Sequence, residues 1–158
     1  MLALPPVLRP ANNADGPAVK QLIFRILTDY NLPPDPNGTD ADLADLAGSY
    51  AERGGSFHVL QTAEGEIIGT VGIYRASADV CELRKMYLSR QHRGQGLGKR
   101  LLEHGLAEAR RLGFRRVTLE TASVLKEAIG LYLRYGFRPY TPEHLVPRCD
   151  QAYFLDLE

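Results

Sequence analysis

The part of the sequence best suited to chemistry is a turn with three glycines at alternate positions: Gly94, Gly96 and Gly98. A strand-like run of apolar and charged residues precedes the turn, and a long amphipathic helical pattern follows it. Such an arrangement gathers backbone N–H groups at a helix N-terminus, where an anion binds favourably. Glycine also lets the main chain approach a phosphate closely, because no Cβ intervenes. Three flanking cations add positive charge: Arg93, Lys99 and Arg100. The turn therefore predicts a ligand that carries phosphates.

Spacing separates the phosphate-binding loops that this turn could form. A dinucleotide-binding fingerprint needs glycines at the first, third and sixth positions, but the sixth position counted from Gly94 is Lys99. A nucleoside-triphosphate loop needs a glycine five residues before Gly98 and a serine or threonine after Lys99, but Arg93 and Arg100 occupy those positions. Both loops are excluded.

Residues 93–98 read Arg-x-x-Gly-x-Gly, which resembles the pyrophosphate loop of the GNAT N-acetyltransferase superfamily. The neighbouring segments resemble successive motifs of that family in the same order: Leu-Arg-Lys-Met-Tyr-Leu at 83–88, Ala-Ile-Gly-Leu-Tyr at 128–132 and Tyr-Gly-Phe at 135–137. The resemblance covers nearly the whole chain and implies an N-acetyltransferase that uses acetyl-CoA as cosubstrate. One departure is Leu125-Lys126, where many members carry an asparagine near the start of the last helix.

The resemblance also implies which residues bind the cosubstrate. They are Met86, Tyr87, Leu88, Arg93, Gly94, Gln95, Gly96, Leu97, Gly98 and Lys99. The loop would hold the pyrophosphate mainly through main-chain N–H groups, so the side chain of Gln95 should matter little. At the end of the preceding strand, a main-chain N–H group, that of Leu88, would face the thioester oxygen.

Two side chains are the candidate catalytic residues. Tyr132 matches the family tyrosine that returns a proton to the departing thiolate, although its spacing on a helix also suits a core aromatic residue. Glu82, on the strand before the loop, is the candidate base that removes a proton from the attacking amine. Glu120 on a partner strand and bulk water remain alternatives, and Glu82 could instead pair with Arg84.

Length and charge limit the classes of function. A chain of 158 residues fits a single domain, 1–158, and 19 basic residues balance 19 acidic ones. Zero net charge argues against nucleic acid or a membrane surface as partner. The charges are nevertheless uneven: ten cations and only two acidic residues lie between positions 84 and 116, which suits a polyphosphate ligand near the loop.

Cysteine and histidine usage concerns compartment and metal content. The two cysteines, Cys81 and Cys149, make no disulfide framework, and the four histidines share no ligand spacing with them. The N-terminus lacks the pattern of a signal peptide. We therefore expect a cytoplasmic protein without a metal.

Hydrophobic periodicity predicts a mixed α/β (α+β) fold. A short strand at 7–9 precedes a helix from Asp15 to near Tyr30 and a second helix capped by Thr39 and Asp42. Strands at 57–62, 67–74 and 80–88 form an antiparallel meander, and a helix then crosses to a parallel strand at 117–120. A last helix at 126–135 and a closing strand at 152–157 complete a mixed, mostly antiparallel twisted sheet with helices on both faces. The family resemblance adds that the strands ending at 88 and starting at 117 splay apart.

The acceptor is expected to bind between residues 28–42 and 141–151. The first segment is acidic, which favours a cationic amine, although a solvated loop has the same composition. Its acidic residues are Asp29, Asp35, Asp40 and Asp42. We expect direct attack by the primary amine of a small molecule. A protein N-terminus or lysine, a non-catalytic acyl-CoA sensor and a homodimer all remain open.

Overall fold

A computed structural model describes residues 4–158, in which seven strands form one sheet in the order β1-β2-β3-β4-β5-β7-β6. The strands are β1 (Val7–Pro10), β2 (Ser56–Gln61), β3 (Ile67–Arg75), β4 (Val80–Leu88), β5 (Arg116–Thr121), β6 (Arg138–Pro139) and β7 (Gln151–Asp156). The α-helices are α1 (Gly16–Asp29), α2 (Leu46–Ser49), α3 (Leu97–Arg111) and α4 (Lys126–Arg134). Of the predicted elements, only the second helix differs substantially.

The sheet is antiparallel except between β4 and β5. Short turns can join antiparallel strands, whereas β4 and β5 are parallel and need the crossover that α3 provides. Pairing between them is confined to Val80–Glu82 against Arg116–Thr118. The last six residues of β4, 83–88, therefore diverge from β5, and the predicted splay between these strands is confirmed.

Helices cover both faces of the sheet, as predicted. On one face, α1 and Tyr50 pack against Phe57 and Val59 of β2. On the other face, Leu101 and Leu106 of α3 pack with residues of β3, β4 and β5. This division follows from the pleat, because successive side chains of a strand point to opposite faces.

The predicted second helix is broken into three short pieces. Residues 41–44 and 51–53 form 3-10 turns on either side of the four-residue α2. The capping box predicted for Thr39 and Asp42 was wrong, because the Asp42 carboxylate accepts a hydrogen bond from the Tyr50 hydroxyl and lies beside Lys85. Asp45 caps α2 instead, by accepting from the N–H of Gly48. Tertiary contacts of Asp42 thus override its local preference.

Asp15 also has a different role from the one predicted. It stands at the N-cap position of α1, but its side chain makes no cap hydrogen bond to that helix. Both carboxylate oxygens accept hydrogen bonds from Arg9 at 2.8 Å, which ties β1 to the start of α1. The side chain of Asn12 instead caps the 3-10 turn that leads into the helix.

Candidate active site

The glycine turn places a helix N-terminus at the open end of the gap between β4 and β5. Gly94 and Gly96 have φ values of 78° and 77°, in the left-handed region that favours glycine. Helix α3 begins at Leu97, and its N-cap Gly96 offers no side chain to its first N–H groups. These groups have no acceptor within the helix. The turn is therefore shaped to bind an anion.

A cavity of about 350 Å³ lies over this turn. Nine of the ten residues expected to bind the cosubstrate line it: Met86, Tyr87, Leu88, Arg93, Gly94, Gly96, Leu97, Gly98 and Lys99. The tenth, Gln95, is exposed and does not line it. We call this space the cofactor cavity.

The cations near the turn are not equivalent. Arg93 lines the cofactor cavity and donates a 2.7 Å hydrogen bond to the hydroxyl of Tyr30 at the end of α1. Arg100, in contrast, donates to the carbonyl of Pro6 at 2.6 Å and does not line the cavity. Arg100 therefore does not contact the cavity directly. Arg134 of α4 does line the cavity, and sequence reasoning missed it.

A β-bulge at Lys85 bends β4 away from β5. Lys85 and Met86 together oppose the single residue Val71 of β3, and Lys85 has a φ of 54°. The buried hydroxyl of Thr70 donates a 2.6 Å hydrogen bond to the Lys85 carbonyl and holds this conformation. Bulges of this kind re-aim side chains and end regular pairing. The bulge thus creates the opening in the sheet.

The alternation of hydrogen bonds directs the Leu88 N–H into this opening. The N–H of Ser89 donates to the Ile68 carbonyl of β3 at 2.7 Å. Neighbouring N–H groups of a strand point to opposite sides, so the Leu88 N–H points away from β3. Strand β5 does not pair with Leu88. The donor is thus left for a ligand between the strands.

A second cavity, of about 240 Å³, adjoins the first and reaches the opposite side of the opening. The two cavities share four lining residues, which makes them parts of one cleft: Met86, Tyr87, Leu125 and Ala128. Leu125 thus lies at the junction. It is part of the Leu125-Lys126 segment, in which this chain lacks the asparagine that the resemblance leads one to expect. Glu82, Glu120 and Tyr132 line only the second space, which we call the acceptor cavity.

Tyr132 is both a core residue and a cavity residue. Its side chain is buried in α4, and its ring packs 5.6 Å from that of Phe137, centroid to centroid. Burial raises the pKa of the Tyr132 hydroxyl well above its usual range, and the nearby Tyr87 and Cys149 act in the same direction. Tyr132 is therefore protonated at neutral pH.

The two glutamates have different environments. One Glu82 oxygen accepts a 2.7 Å hydrogen bond from Arg84, so the pairing considered from the sequence is present. Burial raises the pKa of Glu120, and the charge of Glu82 adds to this effect. A hydrogen bond from the Val146 N–H, 2.9 Å long, opposes the rise without cancelling it. Glu120 is thus the carboxylate with the raised proton affinity.

A buried ion network closes the far wall of the acceptor cavity. Arg148 donates two hydrogen bonds of 2.7 Å to Asp40, and Lys85 lies 3.3 Å from Asp40 and 3.2 Å from Asp42. The segments expected to bind the acceptor, 28–42 and 141–151, therefore do meet. However, cations of the chain itself neutralise Asp40 and Asp42, so the inference from local acidity to a cationic amine loses these two charges.

Known proteins resemble this chain in both sequence and fold. The sequence model described as the acetyltransferase (GNAT) family matches residues 21–137. The chain is 39% identical over 137 residues to uncharacterized N-acetyltransferase YjgM of Escherichia coli K12, a match that covers 84% of this chain and 81% of that protein. It is 37% identical over 103 residues to N-acetyltransferase 8B of Rattus norvegicus, covering 61% of this chain and less than half, 46%, of that relative.

Solved structures show the same fold. An acetyltransferase of the GNAT family from Staphylococcus aureus has a TM-score of 0.90 at 21% identity, over 97% of this chain and 99% of that one. A phosphinothricin acetyltransferase from Sinorhizobium meliloti, in complex with AcCoA, has a TM-score of 0.75 at 20% identity, over 98% of this chain and 89% of that one. The fold and the sequence matches define an acyltransferase of the N-acetyltransferase class. The chain belongs to the acetyltransferase (GNAT) family.

Between residues 4 and 158, no helix is long and apolar enough to cross a membrane.

Proposed function

We propose that this protein transfers the acetyl group of acetyl-CoA to the primary amine of a small molecule. The observation that carries the proposal is the junction of the two cavities at Met86 and Tyr87. A donor held over the glycine turn can place its thioester at this junction, and an amine in the acceptor cavity can reach it. Holding both reactants in one cleft supplies the proximity that acyl transfer requires.

The cofactor cavity fits a ligand with a pyrophosphate and a long arm. The N–H groups at the start of α3 and the side chains of Arg93 and Lys99 suit the phosphates, and the opening beside β4 suits the arm. The Leu88 N–H would stabilise the thioester oxygen as negative charge develops on it, which is worth about 3–4 kcal/mol in related oxyanion sites.

Tyr132 would assist the departing thiolate. Because its raised pKa keeps the hydroxyl protonated at neutral pH, Tyr132 can donate a hydrogen bond to the sulfur as the C–S bond breaks. The same raised pKa makes it a weak acid, so this hydrogen bond precedes any full transfer of the proton.

The acceptor amine must lose a proton before it attacks, and both glutamates of the acceptor cavity can contribute. We proposed Glu82 from the sequence, but its pairing with Arg84 occupies one of its oxygens. Burial raises the pKa of Glu120, and a carboxylate with a raised pKa is a better proton acceptor than an ordinary one. The proposal is that both carboxylates attract the ammonium group and that Glu120 competes with Glu82 for the proton.

The two cysteines favour direct attack over an acyl-enzyme intermediate. A cysteine nucleophile reacts as the thiolate. Burial raises the pKa of Cys149, beside the acceptor cavity, to about 11 and that of Cys81 to about 12. Both are free thiols, and this state also fits the reducing cytoplasm in which we propose that the protein acts.

The decisive experiment measures free coenzyme A as acetyl-CoA is incubated with the purified protein and a panel of amines. The panel should contain amino acids, polyamines, amino sugars, and peptides with a free N-terminus or lysine. A thermal-shift measurement with acetyl-CoA runs beside it, because a ligand at 100 times its dissociation constant stabilises a protein by about 2.7 kcal/mol.

Stabilisation together with thiol release for small amines supports the proposal. Release only with peptides would replace the small-molecule acceptor with a protein N-terminus or lysine. Stabilisation without release for any amine would favour a non-catalytic sensor. Absence of stabilisation would contradict the assignment of the cofactor cavity.

A further inference from the structure

Two histidines and a glutamate meet away from the candidate active site. His58 lies on β2, and His104 and Glu108 lie one helical turn apart on α3. One potential ligand atom from each residue lies within 4.8 Å of the other two. None of the three lines the cofactor cavity or the acceptor cavity. The acetyltransferase chemistry therefore leaves this cluster without a role.

The sequence alone did not indicate this cluster. His58 and His104 are far apart in the chain. We expected no metal because the four histidines and the two cysteines are not spaced as metal ligands. Packing of α3 on the sheet brings them together, with ring centroids 4.3 Å apart and planes inclined by 67°. The Nε2 atom of His58 lies 3.9 Å from Oε1 of Glu108.

The burial and the ligand types of these side chains suit a metal ion. His58 and Glu108 are buried and His104 is half-buried, so the cluster is largely shielded from solvent. Neutral imidazole nitrogens and carboxylate oxygens are atoms that coordinate metal ions.

One polar atom of the cluster lacks a partner. His104 Nε2 is buried and has no hydrogen-bond partner within residues 4–158. Buried polar atoms nearly always have a partner, so an exception calls for an explanation. A bound cation would satisfy this nitrogen.

We infer that His58, His104 and Glu108 form a binding site for a divalent transition-metal ion, for which Zn²⁺ is the best match. Two neutral imidazoles and one carboxylate are ligands that zinc accepts, whereas Mg²⁺ and Ca²⁺ prefer oxygen ligands throughout. Three protein ligands leave a fourth position for water.

Binding requires one local adjustment and is opposed by one nearby charge. Zinc with bonds of about 2.0–2.2 Å holds its ligand atoms roughly 3.4 Å apart, so the side chains must close around the ion. Arg111 donates hydrogen bonds of 2.6 and 2.9 Å to Glu108, and its positive charge disfavours a cation at the same carboxylate. The Arg111 side chain is 63% exposed, so it can turn into solvent. Arg111 thus competes with the metal for Glu108.

The test uses full-length, untagged protein that has been treated with a chelator and then dialysed. Isothermal titration with Zn²⁺ should show one ion bound per chain, Co²⁺ should give the visible absorption of a tetrahedral site, and Mg²⁺ should not bind. His104→Ala and Glu108→Gln should each weaken Zn²⁺ binding at least tenfold. The exposed His144 supplies the matched control, and His144→Ala should bind as the unaltered protein does.

Arg111→Ala provides an independent variant on the surface that leaves the three ligands in place. It should bind Zn²⁺ several-fold more tightly, because Glu108 is freed. A protein without saturable one-to-one binding would overturn the inference, and so would binding that is equal in the unaltered protein, His104→Ala and Glu108→Gln. These readouts do not depend on acetyl transfer, so failure of the proposed function would leave them interpretable.

Discussion

Arg148 and Asp40 form a bidentate ion pair, with both N–O distances 2.7 Å, between side chains that are 7% and 0% exposed. The pair joins the loop before the short 3-10 turn at 41–44 to the loop before β7. Lys85, at the bulge of β4, contacts the same carboxylate. One buried acidic group thus connects three separate parts of the acceptor cavity wall.

Arg148→Ala should lower stability and loosen the acceptor site. Removing one partner of a buried ion pair costs about 3–5 kcal/mol, and Lys85 should reduce this cost because it remains beside Asp40. We expect the free energy of unfolding, measured in urea, to fall by about 3 kcal/mol. The KM for the acceptor should rise by a larger factor than the KM for acetyl-CoA, each compared with its value in the unaltered protein. Arg116→Ala is the control, because its pair with Asp156 is half-exposed and is weakened by solvent screening. Equal losses in the two variants would contradict the role of the buried pair.

Asp40 should contribute to the loss of stability in acid. Despite burial, which by itself raises the pKa, hydrogen bonds from Arg148 and the chain and the charge of Lys85 leave the pKa of Asp40 below its usual value. The folded state therefore binds this proton less readily than the unfolded chain, so the stabilisation exists above pH ~4 and is lost as the pH falls further. Asp40→Asn should be less stable at pH 7 but show a shallower fall in melting temperature between pH 5 and pH 3. Asp29→Asn, at an exposed position, is the control for removal of one carboxylate without loss of the buried ion pair.

Gly96→Val should abolish the stabilisation by acetyl-CoA. The left-handed φ of 77° is costly for a β-branched residue, and the side chain would enter the cofactor cavity. Gly98→Val should also weaken binding, although for a different reason: the site has room for a Cβ, 3.9 Å from Leu131, but the rest of the side chain occupies cofactor space. Gln95→Ala is the matched control. Acetyl-CoA should raise its melting temperature as much as it raises that of the unaltered protein. Normal shifts in both valine variants would contradict the pyrophosphate site.

Tyr132→Phe should lower kcat by about 100-fold or more while leaving binding of acetyl-CoA intact, because general-acid groups contribute about 10²–10⁴-fold. The change removes only a hydroxyl, so the packing against Phe137 is retained. Tyr135→Phe, three residues on in the same helical region, loses only a hydrogen bond to Glu103 and should keep full turnover. Full turnover in Tyr132→Phe would remove the proposed role.

Glu120→Gln and Glu82→Gln should separate the two candidate bases. A base must be deprotonated to act, so kcat/KM should fall as the pH drops through the pKa of the residue responsible. The pKa of Glu120 is raised, so the acidic limb of the kcat/KM profile should lie nearer to pH 7 than for an ordinary glutamate. This limb should disappear in Glu120→Gln. If Glu82 is the base instead, Glu82→Gln will flatten the profile and Glu120→Gln will only displace it. Unaltered profiles in both variants would leave solvent as the base.

The fold was largely predictable because its signals are local. Short apolar runs rich in β-branched residues and bounded by turn residues indicate the strands from Ser56 to Leu88, and helical spacing indicates α1, α3 and α4. The prediction failed where a side chain serves a distant partner: Asp42 contacts Tyr50 and Lys85 instead of capping a helix. Local sequence patterns carry no record of such contacts.

The candidate site divides in the same way. The sequence by itself determined the glycine turn, because left-handed glycines followed by a helix need only a few consecutive residues. The family motifs indicated Tyr132 and Glu82 as candidate catalytic residues. Only the tertiary structure decided that Lys85 bends β4 open, that Tyr30 holds Arg93, and that Arg148 closes the acceptor wall on Asp40. The physical reason is that each of these depends on side chains brought together by folding from distant parts of the chain, and no spacing along the sequence encodes that proximity.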